Sequence, residues 1–110
     1  MTSTARETAL DTSRATIPEG KFAYLLESRS KAGIFRDSMG FDRNGLGAAL
    51  RQHLLDNSEN TWSITNPFGG TKVAVTGLMT GPSGSTWKIT SVWNIESDGA
   101  IRFITATPAR

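Results

Sequence analysis

The chain has 110 residues, with 12 Lys and Arg against 10 Asp and Glu, for a formal charge of +2. That length supports one hydrophobic core and excludes a second domain. With no cysteine and one histidine, disulfides, thiolate metal sites and a histidine cluster for zinc are also excluded, so any chemistry is expected to be metal-free or carried by carboxylates.

In chain order, "MTSTARETALDTSRATIPEG" is rich in Thr, Ser and Ala, and it ends in Pro18 and Gly20. Residues 1–16 read as a linker, and 17–110 as the folded domain. "KFAYLLES" is an apolar run whose type is left open. "SKAGIFRDSMGF" places Ala32, Phe35 and Met39 at helical spacing, with Ser30 as N-cap and Gly40 as stop. "RNGLGAALRQHLLDNS" offers Asn44 as a cap and sets Leu46, Ala49, Leu50, His53 and Leu54 at helical spacing. Helices are therefore predicted near 30–40 and 44–57.

From residue 60 onward the pattern changes to strands. "TWSIT", "TKVAVTGLM", "TWKITSVWNIE" and "IRFITATP" are separated by turn chemistry such as "TGPSGS" and "SDGA". Alternation in the third run puts Trp87, Ile89, Ser91, Trp93 and Ile95 on one face and Lys88, Thr90, Val92 and Asn94 on the other. In the last run Arg102 and Ile104 alternate with Phe103, Thr105 and Thr107, and the sequence does not fix which set faces the core. The expected fold class is α+β: N-terminal helices on one face of a four-stranded antiparallel sheet, with Phe35, Leu50, Leu54, Trp87, Ile89 and Trp93 in the core.

Charge is unevenly spread along the chain. From Asn60 to Arg110 the acids are Glu96 and Asp98, against Lys72, Lys88, Arg102 and Arg110. The strand half is thus mildly basic, as a phosphate-facing sheet would be. No apolar run approaches the roughly 18 residues of a membrane span, so no membrane partner is expected.

The segments "IPEGKFAYLLE", "SKAGIFRDSMGF", "LRQHLLDN" and "LMTGPSGSTWKITSVWNIESDGAIRFITATP" resemble the small C-terminal domains of bacterial polymorphic and contact-dependent toxins, over roughly residues 17–108. The plan is similar to that of the barnase, EndoU, colicin and RelE group of metal-independent ribonucleases. The resemblance falls on Lys31, His53, Trp93, Arg102 and Thr105. It implies a toxin domain delivered into a target-cell cytoplasm, an RNA substrate with tRNA foremost, a cognate immunity protein as partner, a monomer, and no cofactor or metal.

Metal-free RNA cleavage needs a base for the 2′-hydroxyl proton, an acid for the leaving 5′ oxygen, and cations for the phosphorane. The catalytic candidates are His53 as acid or base, Lys31 and Arg102 as phosphate holders, and Thr105 as an orienting hydroxyl. Lys88, Thr90 and Lys72 are the candidate nucleic-acid contacts. Each has a plainer alternative: His53 as a helix-closing residue, Lys31 as a solvated first-turn residue, Arg102 as a cross-strand partner of Glu96, and Thr105 as an ordinary strand former. A non-enzymatic immunity or adaptor protein fits the same α+β plan. A zinc deaminase is disfavoured for want of ligands.

Overall fold

The computed structural model describes residues 15–28, 31, 33–57, 61–65 and 69–109. The expected linker over residues 1–14, the cap at Ser30 and the helical position Ala32 lie outside them.

Four strands form the meander anticipated from the alternation: β2 (Thr61–Thr65), β3 (Thr71–Thr80), β4 (Thr86–Ile95) and β5 (Ile101–Pro108). The sheet has a fifth member. Strand β1 (Ala15–Thr16) pairs parallel to β5 through Ala15 opposite Ile101, so the order is β1-β5-β4-β3-β2 and the sheet is mixed. This corrects the purely antiparallel expectation and brings the last two residues of the expected linker into the sheet. Two residues are too short for period-2 alternation to show. Their place is fixed by tertiary contacts: Ala15 is buried, Ile17 enters the core, and Arg51 Nε donates to the Ala15 carbonyl at 3.2 Å.

The open run "KFAYLLES" becomes helix α1 (Glu19–Glu27), entered through Pro18 at φ −57°, with Leu25 fully buried. Proline suits that entry because its φ is preset and its missing N–H would have no partner there. The predicted helix near 30–40 is corrected to a π-helical turn over Gly33–Ser38, in which the Met39 N–H donates to the Ile34 carbonyl five residues back at 2.9 Å. The β3–β4 hairpin tip explains why the turn does not propagate. Ser83 N–H takes the Met39 carbonyl at 3.0 Å and Ser83 Oγ takes that of Ser38 at 2.6 Å, which removes the acceptors a continuing helix would need. Gly40, at φ +80°, closes the segment as expected.

Helix α2 (Arg43–Asp56) begins one residue before the predicted cap. Asp42, not Asn44, accepts from Gly45 N–H at 2.8 Å. Leu46, Leu50 and Leu54 recur at i, i+4, i+8 and are all fully buried against the sheet. They meet Phe35, Met39, Val75, Ile89, Trp93, Ile101 and Phe103 in one core. Trp93 and Phe103 pack edge to face, with centroids 5.2 Å apart at 76°. Trp87 is half-buried at the edge of this core, and the other five predicted core residues are inside it.

The register of β5 changes midway. Val92 lies opposite Thr105 but Trp93 lies opposite Phe103, so Ile104 has no opposing residue and forms a bulge. Before it, Ile101 and Phe103 point into the core. After it, Ala106 does.

Candidate functional site

His53 projects from α2 onto the inner face of the sheet. The side chain is 3 % exposed, and its Nε2 faces two backbone acceptors, the carbonyls of Ile89 at 3.0 Å and Gly77 at 3.2 Å. Two acceptors on one nitrogen require the proton there, so in the neutral ring Nδ1 accepts a hydrogen bond from the Ser91 hydroxyl at 3.0 Å. Ser91 Oγ in turn accepts from Trp93 Nε1–H at 2.9 Å. The neutral imidazole thus satisfies every polar atom in the chain Trp93, Ser91, His53. Burial pushes the His53 pKa below its ordinary 6.5, and the Gly77 and Ile89 carbonyls and the Asp56 charge oppose that only in part. One flank of the ring borders a shallow, solvent-open hollow lined by Ala49, Gln52, Asp56 and Met79, yet both nitrogens are turned into the protein.

The outer face, with no helix packed on it among the described residues, is built in cross-strand rows. One row runs Lys72, Asn94, Arg102 and the next Ala74, Val92, Thr105. A third runs Thr76, Thr90, Thr107, where the hydroxyls of Thr76 and Thr90 are 2.8 Å apart. Lys88 stands on the same face beyond them, opposite Leu78. The Ile104 bulge decides this composition: it places Thr105 and Thr107 beside Arg102, whereas unbroken alternation would send them to the opposite face.

At the end of the first row, past Ile95, stands Glu96. Its Oε2 accepts a hydrogen bond from Asn94 Nδ2 and lies 3.7 Å from Arg102 Nη2. Asn94 is 2 % exposed, and its amide also donates to the Gly69 carbonyl at 3.4 Å, so the chain leading into β3 covers it. The Glu96 and Arg102 side chains stay 39 % and 50 % exposed. The outer face therefore offers an accessible carboxylate held by a buried amide, beside an accessible guanidinium.

The sequence-derived candidates are thus divided. Arg102, Thr105, Lys72, Lys88 and Thr90 share the outer face, and His53 lies beneath the sheet. Lys31 sits in the helical layer, its carbonyl accepting from Ile34 and Phe35 N–H at 3.1 Å each. The sheet stands between His53 and the pair Arg102 and Thr105, so these three side chains do not line one pocket. Asn94 and Glu96, which stand beside Arg102, are not among the sequence-derived site candidates. Their signal in the sequence was the i, i+2 spacing that puts both on one side of the hairpin end. Among the described residues, no three His, Cys, Asp or Glu side chains are grouped so as to hold a metal ion.

No family model and no curated protein matches the chain. Among solved structures, it is similar to a chain of the contact-dependent growth inhibition toxin–immunity protein complex from Klebsiella pneumoniae 342, with 22% identity and a TM-score of 0.72, covering 90% of this chain and 97% of that one. The two chains share a fold. At that identity the likeness concerns the fold. Among the described residues, no helix is long and apolar enough to cross a membrane.

Proposed function

We propose that this chain is a toxin-type effector domain that binds RNA on the outer face of its sheet and cleaves it without a metal ion, tRNA being the first substrate to test. The observation that supports this most directly is the outer face itself. Lys72, Lys88 and Arg102 project from three adjacent strands among the hydroxyls of Thr76, Thr90, Thr105 and Thr107, in a fold shared with a chain of a toxin–immunity complex. Cations on a rigid sheet hold a phosphate at a fixed place, and they gain strength as the phosphorane accumulates charge. Arg102 can meet two phosphate oxygens with its planar fork, while Lys72 and Lys88 act as point charges. In this reading the domain acts in a target-cell cytoplasm and is neutralised by a cognate immunity protein.

The test is incubation of the purified chain with bulk tRNA and total RNA in EDTA, followed by gel analysis. The expected result is discrete cleavage that EDTA does not inhibit and that falls at least about 10²-fold in Lys72→Ala/Lys88→Ala/Arg102→Ala. Intact RNA after prolonged incubation would overturn the reading.

The solved complex that shares the fold contains an immunity protein as well as a toxin, which supports a second reading of this chain as the protective partner. Induced expression in bacterial cells separates the two: growth arrest fits the toxin, and rescue of cells expressing a separate toxin fits the immunity protein.

A further inference from the structure

We infer that the base for RNA cleavage is Glu96, held in position by Asn94 and paired with Arg102, at the end of the β4–β5 hairpin; the inference rests on the ribonuclease reading above.

The chemistry needs a proton acceptor next to a phosphate-holding cation, on a surface an RNA strand can reach. His53 fails on place and on bonding, since it is buried between α2 and the inner face of the sheet with both ring nitrogens engaged by Ser91, Gly77 and Ile89. Among the described residues, Glu96 is the carboxylate in contact with an outer-face cation. Its contacts divide the work of the site. Buried Asn94 fixes Oε2 through its amide and is itself anchored to the Gly69 carbonyl, so the carboxylate is held without being covered. The looser 3.7 Å approach of Arg102 Nη2 engages one edge of a guanidinium that has five N–H donors, which leaves others to meet a phosphate. Lys72, exposed and opposite Asn94 in the register, supplies a second charge on the other side of the row.

With an RNA phosphate between Arg102 and Lys72, the ribose 2′-oxygen gives its proton to the Glu96 carboxylate as it bonds to phosphorus. The bond from phosphorus to the 5′ oxygen breaks, and that oxygen takes a proton from solvent water. The products are a 2′,3′-cyclic phosphate and a 5′-hydroxyl end, and Glu96 returns its proton to solvent. Asn94 is a positioning residue in this scheme, and Glu96 the catalytic one.

The experiment uses the full chain with bulk tRNA and with a labelled oligoribonucleotide containing a sequence the wild type cuts, followed in EDTA across a pH series. Glu96→Gln keeps an oxygen for the Asn94 amide, so its melting curve should match the wild type while kcat falls about 10²- to 10⁴-fold with little change in KM. The acid limb of the wild-type pH profile should disappear with it. Glu96→Asp should restore part of the rate, and a 2′-deoxy nucleotide at the cut position should block cleavage. Wild-type-like kcat in a folded Glu96→Gln, or cutting of the 2′-deoxy substrate, would overturn the assignment of Glu96 while leaving the ribonuclease reading standing. Absence of cleavage by the wild type would overturn both.

Discussion

His53 and Ser91 meet across the interface of α2 and the sheet, Nδ1 to Oγ at 3.0 Å, and this hydrogen bond joins an indole, a hydroxyl and an imidazole into one buried polar chain. Such a chain specifies how a helix sits on a sheet, because any sliding leaves several donors and acceptors without partners at once.

Acidification should therefore loosen the fold through His53. Burial lowers its pKa in the folded state, so below about 6.5 the unfolded chain takes up the proton more readily. This contribution is present in full above the unfolded value and declines as pH falls toward the folded one, at no more than about 1.4 kcal/mol per pH unit. His53 is the only histidine in the chain, so urea midpoints measured between neutral and mildly acidic pH assign the effect to it. A His53→Gln variant should lack that part of the pH dependence.

His53→Ala should cost about 2 to 4 kcal/mol, combining a cavity with orphaned groups at Ser91, Gly77 and Ile89. RNA cleavage per folded molecule should be unchanged. Denaturant curves and activity at a temperature where the variant remains folded check both halves. A large loss of rate with unchanged stability would return His53 to the chemistry.

A Cβ at Gly81 would overlap the Met39 carbonyl oxygen, where the β3–β4 hairpin docks on the π-helical turn. Because the overlap is with backbone, Gly81→Ala must shift the hairpin tip and should destabilise by about 1 to 3 kcal/mol. Thermal melting reads this directly. Ser83→Ala, which removes only the bond to the Ser38 carbonyl, should cost less.

If Lys72, Lys88 and Arg102 each neutralise one phosphate, the affinity of an inactive variant for single-stranded RNA should fall with salt at a log–log slope of roughly −2. Replacing any one of the three by Ala should reduce the slope by about 0.7. Fluorescence anisotropy titrations across a salt series would measure it, and a flat dependence would remove RNA from the outer face.

Much of this fold could be read from local pattern. Alternation over Trp87 to Ile95 assigned both faces of β4, and the Leu46, Leu50, Leu54 stripe found α2. What escaped was set by contacts distant in sequence. Ser83 claims the carbonyls that end the π-helical turn, and Ile101 recruits Ala15 into β1. Asp42 outcompetes Asn44 as a cap because its side chain lies within reach of Gly45 N–H. The candidate site was half legible for a similar reason. The spacing of Lys88, Thr90 and Asn94 marked the outer face, but the company of Arg102 depended on a break in period that no side chain announces. His53 satisfied a helical spacing rule and titrates near neutrality in its ordinary state, so only its partners could separate the buried role from the exposed one.

That break, the unpaired Ile104, makes β5 behave like a text with one inserted letter: everything downstream is read in another frame. Substitutions along the strand alter single positions, and deleting Ile104 would remove the extra residue while leaving Thr105 and Thr107 outward and Ala106 inward in unbroken alternation, so a residue can be lost at the bulge without exchanging inside for outside. Away from the bulge, length is under stricter constraint than side-chain identity. A variant library that allows one-residue deletions in β5 should recover them only where they leave the phase of both halves intact.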